Sequence, residues 1–374
     1  MGTKTSANGT ASGLEGAVVA DTRLSEVDGE RGRLVVAGHD VESLAGHTSF
    51  EQVVALLLDG TVPDEPRRAA VAAGIAAGRQ RGFETLAHVG DALATPDAMD
   101  ALRTATSHLH VDGDGEPAAL QTIGALGTFA AAWARARGGR AAVQPDPDRG
   151  HAADVLRMVL GQPADAARVA GLDAYLVTVA DHGMNASTFT ARVIASTRSD
   201  LVSSVVGAIG ALKGPLHGGA PGPVLDMLDA IGQPGSAPTW LEIEVASGRR
   251  IMGMGHRIYR VRDPRAAVLE RAIATLEASG ISTGRLALAR SVERAAEGVL
   301  RKKYPDRPLH ANVEFYTAVL LDTLGLPRAL FAATFAVARV AGWCAHVFEQ
   351  RALDRLIRPS SRYVGPAVAT VGRS

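Results

Sequence analysis

A chain of 374 residues is long enough for two domains or one large one, and its 47% hydrophobic content supports sizeable cores. Its 39 basic residues balance 39 acidic ones, which argues against general electrostatic attraction to nucleic acid or an anionic membrane while leaving room for a local anion pocket. Aromatic residues are only 4%, so packing rests on Ala, Leu and Val, a bias that favours helix. The single cysteine, Cys344, excludes an intramolecular disulfide, and a reducing, cytoplasmic compartment is expected. Its setting in FAVARVAGWCAHVFEQ suits a small buried apolar residue rather than a nucleophile. No apolar run reads as long enough to span a bilayer, and no secretory signal is expected in the first residues.

Residues 1–12 read as a disordered tail. Between Gly13 and Val36, the runs Val18-Val19 and Leu34-Val35-Val36 flank turn residues such as Asp28-Gly29, which predicts short strands or hairpins. Thr48-Ser49-Phe50-Glu51 offers caps and an early acid for a helix through VVALLLDG, ended by Gly60 and Pro63. Helices are predicted over 67–81 and 97–110. VDGDGEP, 111–117, resembles a calcium loop in its Asp-x-Asp but lacks the downstream glutamate, so a plain turn is expected. An Ala-rich helix at 120–137, an exposed connection at 138–150 and an amphipathic helix at 151–160 follow. The pattern over 164–196 starts as helix and carries ADHGMNASTFTARV. After an apolar helix at 201–212 comes KGPLHGGAPGP, 213–223, the densest cluster of helix breakers and a candidate hinge between two domains. Segments 224–231, 241–246, 266–279, 283–302, 311–324 and 330–351 continue as helices with short links. The chain is therefore expected to be mostly helical, with its few strands confined to the start and no βαβ rhythm.

IMGMGHRIYRVRDPR, Ile251 to Arg265, concentrates His256 with Arg257, Arg260, Arg262 and Arg265 behind two glycines. Glycine lets a ligand approach the main chain, and guanidinium forks match carboxylates and phosphates, so the stretch fits an anion site. It fits a basic surface turn with a solvated histidine equally well. His182 in ADHGMN and His217 in GPLHGGAPG also sit beside helix breakers. No H-x-x-x-H or H-E-x-x-H pairing and no cysteine cluster supports a metal, and no G-x-S-x-G elbow supports a serine hydrolase. Acid–base work by these histidines would need a carboxylate. Glu314 in ANVEFYTAV is the candidate, because apolar neighbours would raise its pKa; an exposed helix face is the other reading.

GPLHGGA, GMGHRIYRVRDPRA, NVEFYTAVLLDTLGLP, RLIRPSSRYVGP, ADHGMNASTFTARV and the N-terminal GLEGAVV…LSEVDGERGRL resemble the signature blocks of the citrate synthase family. They run in the family's order and spacing from about Gly13 to Pro366 and are most similar to the shorter bacterial, dimeric type. The resemblance implies an all-α, two-domain homodimer: a large domain of 13–218 and 326–374, a small domain of 219–325, and the active site in the cleft. It implies condensation of acetyl-CoA with oxaloacetate and hydrolysis of the thioester to citrate and CoA, with no cofactor and no metal. By resemblance Glu314 takes the acyl α-proton, His217 donates to the thioester oxygen, and His256 donates to the ketone of oxaloacetate. A helix beginning at Gly218 would help keep His217 neutral. His182, Arg265, Arg339 and the partner subunit's Arg358 would hold oxaloacetate, and Arg260 a CoA phosphate. Three positions depart from the pattern: Glu314 replaces the usual aspartate, Gly183 stands where glutamate commonly follows the histidine, and Pro221 stands where asparagine is common. These leave open a 2-methylcitrate synthase using propionyl-CoA and a non-catalytic CoA-binding paralogue.

Overall fold

The computed structural model describes residues 13–14, 16–217 and 221–366, without the side chain of residue 221. The expected tail over 1–12, the expected helix start at Gly218 and the Pro221 side chain lie outside what is described.

Three short strands, β1 (Ser25–Asp28), β2 (Arg33–Val36) and β3 (His39–Asp40), form an antiparallel sheet in that order. Ser25 lies opposite Val36, and Val36 opposite His39. Among the described residues the regular elements after it are helices: α1 (Val41–Leu44), α2 (Phe50–Asp59), α3 (Glu65–Thr85), α4 (Ala98–Ser107), α5 (Glu116–Arg137), α6 (His151–Leu160), α7 (Ala166–Val179) and α8 (Ala186–Ala195). Next come α9 (Leu201–Leu212), α10 (Pro221–Ile231), α11 (Ala237–Ala246), α12 (Pro264–Ala278), α13 (Arg285–Lys303), α14 (Val313–Thr323) and α15 (Phe331–Leu353). The expected mostly helical fold is the one found.

Side-chain caps set many of the starts. Ser49 and Gln52 form a reciprocal capping box on α2. Asp64, Asp97, Asp165, Asn185, Asp200, Asp263 and Asn312 each accept a backbone N–H from the first turn they precede. The helical reading of 164–196 is interrupted at 180–185. There Gly183 takes φ +58° and Asn185 caps a new helix, so the ADHGMN motif forms a turn between α7 and α8.

The core centres on α5 and α15. In α5 every residue from Ala118 to Ala134 except Gln121 is buried. Small residues let α3 approach it closely: a Cβ on Gly124 would lie 2.1 Å from the Ile75 carbonyl oxygen, and one on Gly78 would lie 2.4 Å from that of Gln121. The buried Arg79 guanidinium is satisfied by Asp154 at 2.7 Å and by the carbonyls of Asp146 and Arg149. One expectation needs correction. Arg328–Leu353 is long and apolar enough, with mean hydropathy 1.4 over its best window, to match a membrane span. Yet 89% of that window is buried inside the protein, as in a core helix that is apolar on all sides. Cys344 lies within it, buried as expected.

Candidate active site

The segment from Ile251 to Asp263 links α11 to α12 and is fastened to the segment that starts α14. Gly255 N–H donates to the His310 carbonyl at 2.7 Å, Asn312 N–H donates to that of Gly253 at 2.9 Å, and the Asn312 side chain donates to that of Gly255 at 2.9 Å. Both glycines are required: they take φ +74° and +86°, and a Cβ would meet Phe315 at 2.9 Å or Leu309 at 2.8 Å. Asp263 completes the joint. It caps α12, accepts Val313 N–H at 3.2 Å, and holds Arg265 through Nε at 2.9 Å and Nη2 at 2.7 Å. His256 and Glu314, far apart in sequence, are thus carried by two segments bonded to each other.

The His256 ring is oriented by its own loop. Nδ1 accepts the backbone N–H groups of Ile258 at 3.0 Å and Tyr259 at 3.1 Å. That fixes the ring proton on Nε2, which is left to donate. Burial, then the Arg265 charge, pushes its pKa down to about 4, so the ring is neutral near pH 7. His182 comes from the α7–α8 turn; its ring centroid is 5.7 Å from that of His256, and Nε2 is 3.2 Å from the Tyr259 hydroxyl. Burial first, with Arg265 and Arg339 behind it, holds His182 well below the usual histidine range.

His217 follows α9. Its Nε2 accepts Ser187 N–H at 3.2 Å and lies 2.8 Å from Ser187 Oγ, which itself accepts Trp343 Nε1–H at 3.1 Å. The proton therefore sits on Nδ1. Burial, then the Arg339 charge, pushes its pKa down to about 4. Removal from water is the leading cause, and the expected contribution of a helix beginning at Gly218 lies outside the described residues.

Glu314 occupies the first turn of α14, half-buried, and burial pushes its pKa up to about 7 against the opposing pull of Arg265 and Arg250. It is not the acid of an exposed helix face. Arg339 is buried in α15, donating Nε to the Val179 carbonyl at 2.7 Å and lying 4.6 Å over the Phe335 ring. Its Nη2 is buried with no hydrogen-bond partner among the described residues. Arg265 and Arg339 repel one another, and burial pushes Arg339 down to about 10. With Arg265 already paired with Asp263, the buried Arg339 charge and its spare donor favour an anion beside it.

Arg260 is half-buried, and its charge bears on His256. Arg358 is not brought into this group: it is exposed on the segment after α15, with no hydrogen bond or ion pair among the described residues. Reading the sequence alone overlooked Tyr259, Ser187, Asp263 and Asn312. Asp263-Pro264 and Asn312-Val313-Glu314 carried a cap signature that pointed to the last two; nothing local marks Ser187 as the partner of a ring 30 residues away.

The family model for the citrate synthase C-terminal domain matches residues 13–360. The citrate synthase of Haloferax volcanii is 39% identical over 94% of this chain and 95% of its own length. The 2-methylcitrate synthase of Mycobacterium tuberculosis is 36% identical over 94% and 90%. A solved ternary complex of citrate synthase from Thermoplasma acidophilum with carboxymethyl coenzyme A and oxaloacetate superposes with a TM-score of 0.86, at 27% identity over 96% of this chain and 97% of that one. The chain is a member of the citrate synthase family of enzymes.

Proposed function

We propose that the protein condenses acetyl-CoA with oxaloacetate and hydrolyses the resulting thioester to citrate and CoA. What supports this is the presence in one chain of two neutral imidazoles, each with one nitrogen occupied and the other left to donate, and of a carboxyl group whose pKa is about 7. Glu314 as carboxylate removes a methyl proton of the thioester. His217 Nδ1–H stabilises the charge that develops on the thioester oxygen, because a donor fixed in advance costs no reorganisation. The enol carbon attacks the keto carbon of oxaloacetate while His256 Nε2–H donates to its oxygen. Water then cleaves the acyl–sulfur bond, releasing CoA. Arg265, Arg339 and His182 hold the dicarboxylate, Arg260 a CoA phosphate, and Arg358 reaches the site of a partner subunit in a homodimer. Closure of a small domain, 219–325, on a large one, 13–218 with 326–374, would exclude water from the cleft.

The likeness to a 2-methylcitrate synthase supports propionyl-CoA as the second reading. One methylene in an apolar pocket discriminates by only ~1–3 kcal/mol. Steady-state kcat/KM for acetyl-CoA and propionyl-CoA, each with oxaloacetate, tests the choice. The proposal expects acetyl-CoA to be the better donor; a clear preference for propionyl-CoA overturns it.

A further inference from the structure

The sheet at the start of the chain touches both histidine-bearing turns. At the β1–β2 turn, Arg260 N–H donates to the Gly29 carbonyl at 2.9 Å, and a Cβ on Gly29 would lie 2.4 Å from the Ile258 carbonyl oxygen. At the other end of β1, Ser25 Oγ accepts Gly183 N–H at 2.7 Å and donates to Asp181 Oδ2. The Ser25 hydroxyl therefore brackets His182 on both sides in sequence. The approach depends on Gly183, where a Cβ would come within 3.3 Å of Val27 Cγ2.

Behind Ser25 lies a buried chain of polar groups. Arg192 Nη1 donates to His346 Nδ1 at 3.0 Å, which leaves His346 Nε2–H to face Asp181 Oδ2 at 3.3 Å. Arg192 is held in turn by Glu349 at 2.6 Å and by Gln350 at 3.0 Å, and Glu349 accepts Arg23 N–H at 2.8 Å from the residue two before Ser25. Burial alone would push the Asp181 carboxyl up; His346, Arg339 and the Ser25 hydroxyl outweigh it and hold it below the usual aspartate range. Asp181, His346 and Arg192 are fully buried while Ser25 and Glu349 are only partly so, and although Asp181 Oδ1 and Arg192 Nη2 find no partner among the described residues, the bonds named here tie Ser25 to the core.

We infer that Ser25, backed by Asp181, His346 and Arg192, is the positioning residue that aims His182 at the keto acid. This rests on His182 contacting oxaloacetate, as proposed above. Ser25 touches no substrate; it acts by fixing the turn that carries the imidazole. Losing one hydrogen bond of this kind changes an affinity by about two- to tenfold.

The test is Ser25→Ala in the full-length protein. KM for oxaloacetate should rise about two- to tenfold, while kcat and KM for the acyl-CoA stay near wild type and the thermal midpoint falls by no more than a few degrees. Ser25→Thr, which keeps the hydroxyl, should restore KM. In ring-labelled protein without substrate, the His182 resonances should shift in Ser25→Ala and those of His217 should not. Unchanged KM and unchanged His182 resonances, or a fall in every parameter together with the thermal midpoint, overturns the inference. His182→Ala separates the two levels. If it leaves KM for oxaloacetate unchanged, the contact proposed for His182 is itself wrong, even where the resonances show that Ser25 orients the ring.

Discussion

Glu314 lies in the first turn of α14, where the helix N-terminus and the Asn312 cap favour a negative charge, yet burial prevails and its pKa rises to about 7. A carboxyl group whose folded pKa exceeds its unfolded value of 4.5 contributes stability that is fully present below pH 4.5 and lost as pH rises through about 7. Glu314→Gln should therefore be more stable than wild type at pH 8, by roughly 1–3 kcal/mol, with the gain shrinking as pH falls towards 4.5. Urea midpoints at the two pH values measure it. No gain at pH 8 would mean that the carboxylate is not desolvated. The same residue shows how far single residues could be read. An acid among apolar neighbours was visible in ANVEFYTAV, and the histidines were marked by adjacent breakers. The tautomers of His217 and His256 were not, because they depend on which N–H groups reach each ring, and Ser187 does so from another helix.

At the scale of the elements, Ser49 announced the start of α2, and the alanine-rich runs announced α3 and α5. The breaker beside His182 marked the break at 180–185 but not its bounds, because Val177 to Ala180 continues the apolar pattern of α7 and a new helix starts at the Asn185 cap. Burial on all sides of α15 was likewise not readable, since an apolar helix looks alike to a core and to a bilayer. The crossing of α3 over α5 depends on glycine faces that the sequence does not pair. A methyl group at position 124 would lie 2.1 Å from the Ile75 carbonyl oxygen, which the backbone cannot yield without separating the helices. Gly124→Ala should destabilise the protein by about 1–3 kcal/mol, or more, despite the better helix propensity of alanine. Chemical denaturation would check this, and a neutral or stabilising effect would refute the close crossing.

For the whole molecule, the segment after α15 turns at Asp354, a non-glycine residue at φ 45° and ψ 43°, and is pinned there by Arg198 through bonds of 2.8–3.0 Å. Ile357 N–H donates to Ser196 Oγ at 3.0 Å, and beyond it Arg358, Tyr363 and Val364 are exposed. An exposed arm that carries the apolar side chains of Tyr363 and Val364 and the unpaired Arg358 suits a partner subunit. Mixing Glu314→Gln subunits with Arg358→Ala subunits tests this. If Arg358 acts across a dimer, mixed dimers hold one intact site and recover about half of wild-type activity per dimer. If it acts within its own chain, mixing recovers nothing.

Condensation requires Glu314, His217 and His256 to act on one pair of substrates. Release of the CoA thiol from acetyl-CoA, followed with and without oxaloacetate in wild type and Glu314→Gln, measures this most directly. The expected result is rapid release in wild type only when oxaloacetate is present, and a rate at least ~1000-fold lower in Glu314→Gln, where the base is missing. Release by wild type no faster than by Glu314→Gln, or release independent of oxaloacetate, would contradict it.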